Sequence, residues 1–280
     1  MAILKRPNKP TIHYSIDDFT DPWKNRPYLI LQHGYSRSGK FWFNWIPYLS
    51  RYFKVIRPDL RGLGQSPLDF DPRTGYTVEG FLGDLVDLLD HLQIDSVHYC
   101  GESLGGMIGM GLASYHPERV RTLTCVASGV WHNKYVTETF SFGYASWQEA
   151  LRKMGPKAWS AAANNDLRFP PGTEQGLKDF YAEEIGKSSV EAMIALSELA
   201  EIVDLRAALP GIKAPSLGLY PADAKVADNE QIDLLCKTVP NFKLVRMKSS
   251  THTIMSLEPA ACAKMVLTFA SIHEGFSCFE

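Results

Sequence analysis

The stretch His98-Tyr99-Cys100-Gly101-Glu102-Ser103-Leu104-Gly105-Gly106-Met107 decides the fold. A short buried strand should precede its Gly-x-Ser-x-Gly turn, and a helix should follow it. So sharp a turn holds its central residue at positive φ, which costs about 1–3 kcal/mol. Gly101 and Gly105 remove the side chains that would collide there. The turn should therefore lift the Ser103 hydroxyl clear of the sheet and direct the Leu104 N–H towards whatever bonds to it.

Strands and helices alternate on both sides of this turn. Alternation at these intervals is typical of parallel strands joined by helices. We therefore expect an α/β fold in which a mostly parallel central sheet is flanked by helices. The apolar patterns predict an edge strand at 11–16, further strands at 28–32, 54–58, 97–100, 121–127, 214–220 and 242–247, and helices at 41–52, 78–92, 107–114, 189–203 and 259–272.

Residues 129–204 interrupt this alternation. They contain no clear strand pattern, several helical stretches and many aromatic side chains. We expect a helical cap, or lid, over the carboxyl edge of the sheet, where ligands bind in open α/β sheets. The predicted division is an α/β core made of 1–128 and 205–280 and a cap made of 129–204. Trp131 and His132 are expected to reach the pocket from the cap.

The bulk composition excludes several classes of protein. A chain of 280 residues that is 45% hydrophobic suits one α/β domain with an insertion, and a net charge of −2 argues against nucleic acid or an anionic membrane as the main partner. There is no apolar run of the length found in signal peptides. There is also no apolar run of about 18 residues, the length that spans a bilayer. The five cysteines form no C-x-x-C pair, so we expect neither disulfides nor a metal site. These features favour a cytoplasmic protein.

A base is needed because a serine hydroxyl is a poor nucleophile until its proton is removed. His252 follows the strand predicted at 242–247, where the chain order serine, acid, histidine requires the base. His33 precedes Gly34 at a strand end and is expected to support that loop by hydrogen bonding. We therefore expect His252 to activate Ser103.

The loop after the strand at 28–32 should complete the site. An oxyanion needs two fixed donors, and we expect these to be the N–H groups of Leu104 and Tyr35. The Tyr35 ring and Trp42 are expected to line the pocket, although a core position fits Trp42 equally well. Arg37 has the geometry to bind a substrate carboxylate, the alternative being an ordinary solvated arginine.

Four motifs together resemble the α/β-hydrolase superfamily, above all its small capped members: enol-lactonases, carboxylesterases and carbon–carbon bond hydrolases. They are the His-Gly-Tyr at 33–35, the loop at 59–66, the Gly-Glu-Ser-Leu-Gly-Gly at 101–106, and His252. The resemblance implies a serine–acid–histidine triad, a covalent acyl-enzyme, water as the second substrate and no cofactor. It implies a small-molecule substrate with an apolar or aromatic part. The oligomeric state stays open, a homodimer being one option.

The triad acid is the least defined part of the pattern. The family usually places it after the strand that corresponds to 215–220, in a Gly-x-x-Asp pattern. Here Pro221 replaces the glycine, and strict counting reaches Ala224. Asp223 is the first candidate, Asp228 the second, and a site without the usual acid the third.

Other charged residues in the motifs are expected to be structural. The Glu102 side chain should point away from the line that joins Ser103 and His252. Asp59 and Arg61 should hold one another, or the serine turn, in place.

We therefore predict a serine hydrolase of a small ester, lactone or related acyl compound, with Ser103 as nucleophile, His252 as base and Asp223 as orienting acid. Three alternatives stay open. A carbon–carbon bond hydrolase would use the same triad, a cofactor-free oxygenase would use the same fold, and a hydrolase-like small-molecule receptor would show little turnover.

Overall fold

The computed structural model describes residues 2–278, so residue 1 and residues 279–280 of the expected core lie outside the described part of the chain. Its centre is one sheet of eight strands. The strands are β1 (Ala2–Arg6), β2 (Lys9–Asp17), β3 (Tyr28–Gln32), β4 (Lys54–Pro58), β5 (Val97–Glu102), β6 (Val120–Val126), β7 (Ser216–Tyr220) and β8 (Phe242–Arg246).

The strand order across the sheet is β1-β2-β4-β3-β5-β6-β7-β8. The pairs β1–β2 and β2–β4 are antiparallel, and every pair from β4 to β8 is parallel. The predicted mostly parallel sheet is thus confirmed. The strand predicted at 11–16 is present as part of β2. Its predicted place at the edge of the sheet was wrong, because β2 lies between β1 and β4. β1 was not predicted, since only Leu4 of its five residues is buried and no apolar alternation marks it.

Helices cover both faces of this sheet. Those predicted at 78–92 and 259–272 are confirmed, whereas the single helix predicted at 41–52 is wrong. Pro47 lacks the N–H that a continuous helix needs, so a 3₁₀ turn (Gly39–Trp42) precedes a separate short helix. The helices are α1 (Ile46–Leu49), α2 (Pro72–Gly75), α3 (Val78–His91), α4 (Leu104–Tyr115), α5 (Lys134–Ser141), α6 (Trp147–Ala163), α7 (Gln175–Ile185), α8 (Val190–Ile202), α9 (Asn229–Thr238), α10 (Ile254–Leu257) and α11 (Pro259–Glu274).

The core is divided into two clusters by the sheet. Ile30 of β3 packs in the cluster that contains Leu88 of α3, whereas Leu29 and Leu31 pack in the cluster that contains Phe269 of α11. Successive residues of a strand point to opposite faces, so both faces of β3 are buried. This double burial explains the continuous apolar run in the sequence.

Residues 129–204, called the helical insertion below, contain α5 to α8. Its two ends meet, because Trp131 and Asp204 form an antiparallel bridge and the Leu205 N–H donates to the Val130 carbonyl at 2.9 Å. Within residues 2–278, no helix combines the length and the hydropathy that crossing a bilayer requires.

Candidate active site

Ser103 occupies the turn between β5 and α4, with φ 52° and ψ −120°. Residues other than glycine rarely adopt this combination of backbone angles. A Cβ on Gly101 would lie 2.2 Å from the Gly105 carbonyl oxygen, and one on Gly105 would lie 2.4 Å from the Gln32 carbonyl oxygen. The Ser103 N–H donates to the Val126 carbonyl at 2.9 Å and so fixes the turn to β6. The strand–turn–helix geometry expected around the serine is therefore present, and both glycines are required for it.

The half-buried Ser103 side chain opens onto a cavity that His252 also lines. The space between the atoms of this cavity amounts to about 750 Å³ when its open mouth is included. Its wall combines apolar side chains of the helical insertion with polar groups near the serine. Four of the residues that the sequence predicted at the pocket line this cavity: Tyr35, Arg37, Trp131 and His132.

Trp42 lies in the core and does not line the cavity. Its side chain is fully buried and packs edge-on against Trp45, with ring centroids 4.8 Å apart. The 3₁₀ turn that ends at Trp42 directs the indole into the cluster that contains α11. The expectation that Trp42 lines the pocket was therefore wrong, and the core alternative is correct.

His252 lies in the loop between β8 and α10 and is held by its main chain, whose N–H donates to the Leu167 carbonyl at 2.9 Å. Its Nε2 lies 3.4 Å from Oε1 of Glu102. Among residues 2–278, no hydrogen bond connects the imidazole to Ser103. Catalytic hydrogen bonds are often long or poorly aligned until substrate is bound.

The imidazole of His252 is neutral at physiological pH. Burial, reinforced by the positive charges of Arg37 and Arg168, lowers the pKa of His252 to about 3. A neutral imidazole is the form that can accept a proton, which is the state a general base requires.

Glu102 is fully buried directly before the serine, and its carboxylate contacts two side chains. Oε1 faces His252, and Oε2 forms an ion pair with Nη1 of Arg37. Gly34 leaves the necessary space, because a Cβ there would lie 2.5 Å from Glu102 Oε2. The expectation that the Glu102 side chain points away from Ser103 and His252 was wrong. The carboxylate fits into the space beside Gly34, where one oxygen pairs with Arg37 and the other faces His252.

Neither predicted acid forms an ion pair or hydrogen bond with His252 in the part of the chain that is described. Asp223 lines a small cavity together with His252, but its carboxylate is largely exposed and lies 3.7 Å from Nζ of Lys225. Asp228 caps the first turn of α9 and accepts a hydrogen bond from Nδ2 of Asn133 at 2.9 Å. The role of Asp223 as the triad acid stays a prediction.

Tyr35, in the loop after β3, and Leu104, the first residue of α4, both line the cavity. Across residues 2–278, no main-chain acceptor takes the N–H of Tyr35 or that of Leu104. The chain bends sharply after Tyr35, where Ser36 has φ 55°. An oxyanion hole requires two N–H groups that are free to donate, and the assignment of these two groups to one stays a prediction.

His33 supports this loop from below the cavity. Its Nε2 accepts the Leu60 N–H at 2.9 Å, and its Nδ1 donates to the Gly34 carbonyl at 2.8 Å. Both ring nitrogens are occupied, and burial lowers the pKa of His33. The predicted supporting role of His33 is confirmed.

Asp59 and Arg61 do not contact one another, so that part of the prediction was wrong. Asp59 accepts the Gly39 N–H at 2.6 Å and lies 2.9 Å from Nδ1 of His13. Arg61 instead forms an ion pair with Asp84 at 2.7 Å. Each residue ties its loop to a different element, because the tight loop points the two side chains in different directions.

Arg168, in the helical insertion, was missed by the sequence analysis. It lines the same cavity and has a side chain that is 3% exposed. No motif surrounds it, so no sequence signal could have identified it. Within residues 2–278, no three His, Cys, Asp or Glu side chains come together as a possible metal-binding group.

Comparisons with known proteins agree with this geometry. A model of the family described as "alpha/beta hydrolase fold" matches residues 27–259. A Stutzerimonas stutzeri protein assigned as a carbamate hydrolase is 25% identical, over 86% of this chain and 89% of its own length. The 3-oxoadipate enol-lactonase 2 of Acinetobacter baylyi is 27% identical, over 81% of this chain and 82% of its own length.

Solved structures show the same likeness. The enol-lactonase from Burkholderia xenovorans LB400 superposes with a TM-score of 0.83 at 25% identity, covering 94% of this chain and 98% of that one. The family match spans most of the chain and includes the serine turn and the loop of the candidate base. The chain belongs to the α/β-hydrolase fold family and is an α/β-hydrolase enzyme.

Proposed function

We propose that this enzyme is a serine hydrolase that cleaves a small ester, lactone or related acyl compound through an acyl-enzyme. One observation carries the proposal. Ser103, held at positive φ, shares a cavity with the neutral imidazole of His252 and with Tyr35 and Leu104, whose N–H groups have no main-chain acceptor in residues 2–278. This is the equipment that acyl transfer to a serine needs.

In the first half of the reaction, Oγ of Ser103 attacks the substrate carbonyl carbon while Nε2 of His252 accepts the hydroxyl proton. The carbonyl oxygen becomes an oxyanion, which the N–H groups of Tyr35 and Leu104 stabilise. Losing one such donor typically costs about 3–4 kcal/mol in the transition state. The oxyanion then collapses, the bond to the leaving oxygen breaks, and His252 returns the proton to that oxygen.

In the second half, water attacks the acyl carbon and gives its proton to His252. The acid product leaves when the bond to Oγ of Ser103 breaks and the proton returns to the serine. The imidazolium that forms twice in this cycle needs a carboxylate to stabilise it. Asp223 is our proposed acid, and it would have to exchange its contact with Lys225 for one with His252.

The helical insertion acts in this proposal as a cap that supplies the apolar wall. Val136, Phe140 and Trp147 of the insertion line the cavity. Such a wall favours a substrate with an apolar or aromatic part. The relatives named as a carbamate hydrolase and an enol-lactonase support an acyl compound as the substrate.

The nucleophile is tested by labelling with a fluorophosphonate and locating the adduct by mass spectrometry. We expect a single adduct on Ser103, no adduct in Ser103→Ala, and much slower labelling in His252→Ala. His91→Ala, at an exposed position at the end of α3, is the matched control and should label at the wild-type rate. Equal labelling of the wild type and His252→Ala would contradict the role of His252.

The acid is tested with amide variants that keep the shape of each side chain. Asp223→Asn should lower kcat by about four orders of magnitude if Asp223 orients His252, as the same change does in a serine protease. Asp228→Asn should leave kcat within a few-fold, because that carboxylate caps a helix. Wild-type turnover in Asp223→Asn combined with its loss in Glu102→Gln would transfer the role to the buried carboxylate.

A further inference from the structure

Arg168 is a buried cation in the wall of the cavity that contains Ser103. Its main chain is fixed against the loop of the base. The Thr253 hydroxyl donates to the Arg168 carbonyl, and the His252 N–H donates to the carbonyl of the preceding Leu167 at 2.9 Å. The backbone from which the guanidinium extends is therefore held at a set position relative to the candidate base.

No carboxylate pairs with Arg168 anywhere in residues 2–278. Its Nη1 donates to Oγ of Ser160 at 3.3 Å and to Oδ1 of Asn164 at 3.4 Å, both long for hydrogen bonds. Its guanidinium carbon lies 5.4 Å from the Trp159 ring centroid and 5.6 Å from that of Phe140. These neutral contacts offset only part of the several kcal/mol that burying an ion costs.

The charges around the cavity do not balance. The Glu102 carboxylate is already paired with Arg37, and His252 is neutral. Burial and the nearby Arg37 charge lower the pKa of Arg168 to about 9, which still leaves it protonated at neutral pH. Nε of Arg37 is also buried, with no hydrogen-bond acceptor in the described structure. One unit of positive charge is therefore left in a partly enclosed, low-dielectric space.

We propose that the substrate hydrolysed at Ser103 carries a carboxylate, which the Arg168 guanidinium binds while the apolar part of the substrate lies against Phe140 and Trp147. This inference rests on the proposed function, since it names the substrate of the same site. Its chemical class is a monoester of a short dicarboxylic acid, or a lactone that carries a free carboxylate. A guanidinium suits this task because it binds a carboxylate through two parallel hydrogen bonds.

The proposal is tested with two esters that differ only in the anionic group, 4-nitrophenyl hemiglutarate and 4-nitrophenyl pentanoate. The measured quantity is the ratio of their kcat/KM values. We expect a ratio of at least about 10 in the wild type and a 10- to 100-fold fall in Arg168→Gln, the range for a hydrogen bond to a charged group. Arg168→Lys should give an intermediate ratio, because it keeps the charge but loses the planar fork.

The matched control is Arg152→Gln, the same substitution at an exposed position of the helical insertion, and it should keep the wild-type ratio. A wild-type ratio near one, or an unchanged ratio in folded Arg168→Gln, would overturn the proposal. Thermal melts with millimolar glutarate give a second measurement that needs no turnover. Glutarate should raise the Tm of Ser103→Ala but not that of Arg168→Gln.

The two proposals fail in different ways. If the wild type hydrolyses both esters at equal efficiency and glutarate changes no Tm, the serine hydrolase stands and the carboxylate site falls. If glutarate raises the Tm and no ester is hydrolysed, carboxylate binding at Arg168 is supported and the proposed reaction falls.

Discussion

The backbone conformation of Ser103 should be strained and should lower the free energy of unfolding. Replacing the serine with glycine should relieve that strain. At φ 52° and ψ −120°, any residue with a Cβ is strained by about 1–3 kcal/mol, whereas glycine adopts this conformation freely. Glycine also loses about 0.5–1 kcal/mol more entropy on folding, and a partly buried methyl is worth up to about 0.8 kcal/mol. Ser103→Gly should therefore be about 1 kcal/mol more stable than Ser103→Ala.

Both variants lack the hydroxyl, so the difference between them isolates the backbone. A chain of 280 residues unfolds with an entropy of about 0.6 kcal/mol per degree, and 1 kcal/mol then corresponds to about 2 °C in Tm. Differential scanning calorimetry and urea unfolding would both measure the difference. The matched control is Ala261→Gly, at an exposed position of α11, which should cost about 1 kcal/mol.

The two alanine-to-glycine comparisons should thus have opposite signs. Neither serine variant should be labelled by a fluorophosphonate. A Ser103→Gly variant that is no more stable than Ser103→Ala would refute the claim that the backbone of Ser103 is strained.

Three further predictions concern packing and pH. Gly105→Ala should destabilise the protein by more than about 2 kcal/mol, because the new Cβ would lie 2.4 Å from the Gln32 carbonyl oxygen. Gly83→Ala in α3 should instead stabilise the protein by up to about 1 kcal/mol, because its new Cβ would have no neighbour within 4 Å. Urea unfolding measures both changes. Burial lowers the pKa of His98 to about 4 and that of His252 to about 3, so below pH 6.5 the unfolded chain binds protons that the folded chain does not. Between pH 7 and pH 5 each of these two histidines should remove about 2 kcal/mol from the free energy of unfolding, and equal stability at the two pH values would contradict this. Because the same low pKa keeps the base unprotonated, kcat/KM for a nitrophenyl ester should have its acid limb below pH 5, and a limb near pH 6.5 would count against His252 as the buried base.

The central strands could be predicted because their physics is local. Both faces of β3 are buried, and a strand buried on both faces must be apolar throughout. The serine turn is readable for a similar reason, since its close backbone contacts admit only glycine at positions 101 and 105. β1 could not be predicted, because it owes its place to pairing with β2 and buries only Leu4.

Site residues beyond the motifs depend on contacts between distant parts of the chain. The orientation of Glu102 follows from the space at Gly34 and the charge of Arg37, neither of which is adjacent to it in sequence. Arg168 reaches the cavity only because the insertion packs on the loop of His252. Local pattern therefore predicts the serine turn and the loop that carries His252, whereas the charges that surround them require the tertiary structure.

The bridge between Trp131 and Asp204 has a consequence for how this enzyme could diversify. Because the insertion leaves and rejoins the sheet at neighbouring points, its length and sequence can change without pulling on β6 or β7. A transplanted insertion from another enzyme would need only two compatible ends to reach the same junction. Under the proposed function, a chimera that keeps the sheet and exchanges the piece between these two residues should take part of its substrate selectivity from the donor.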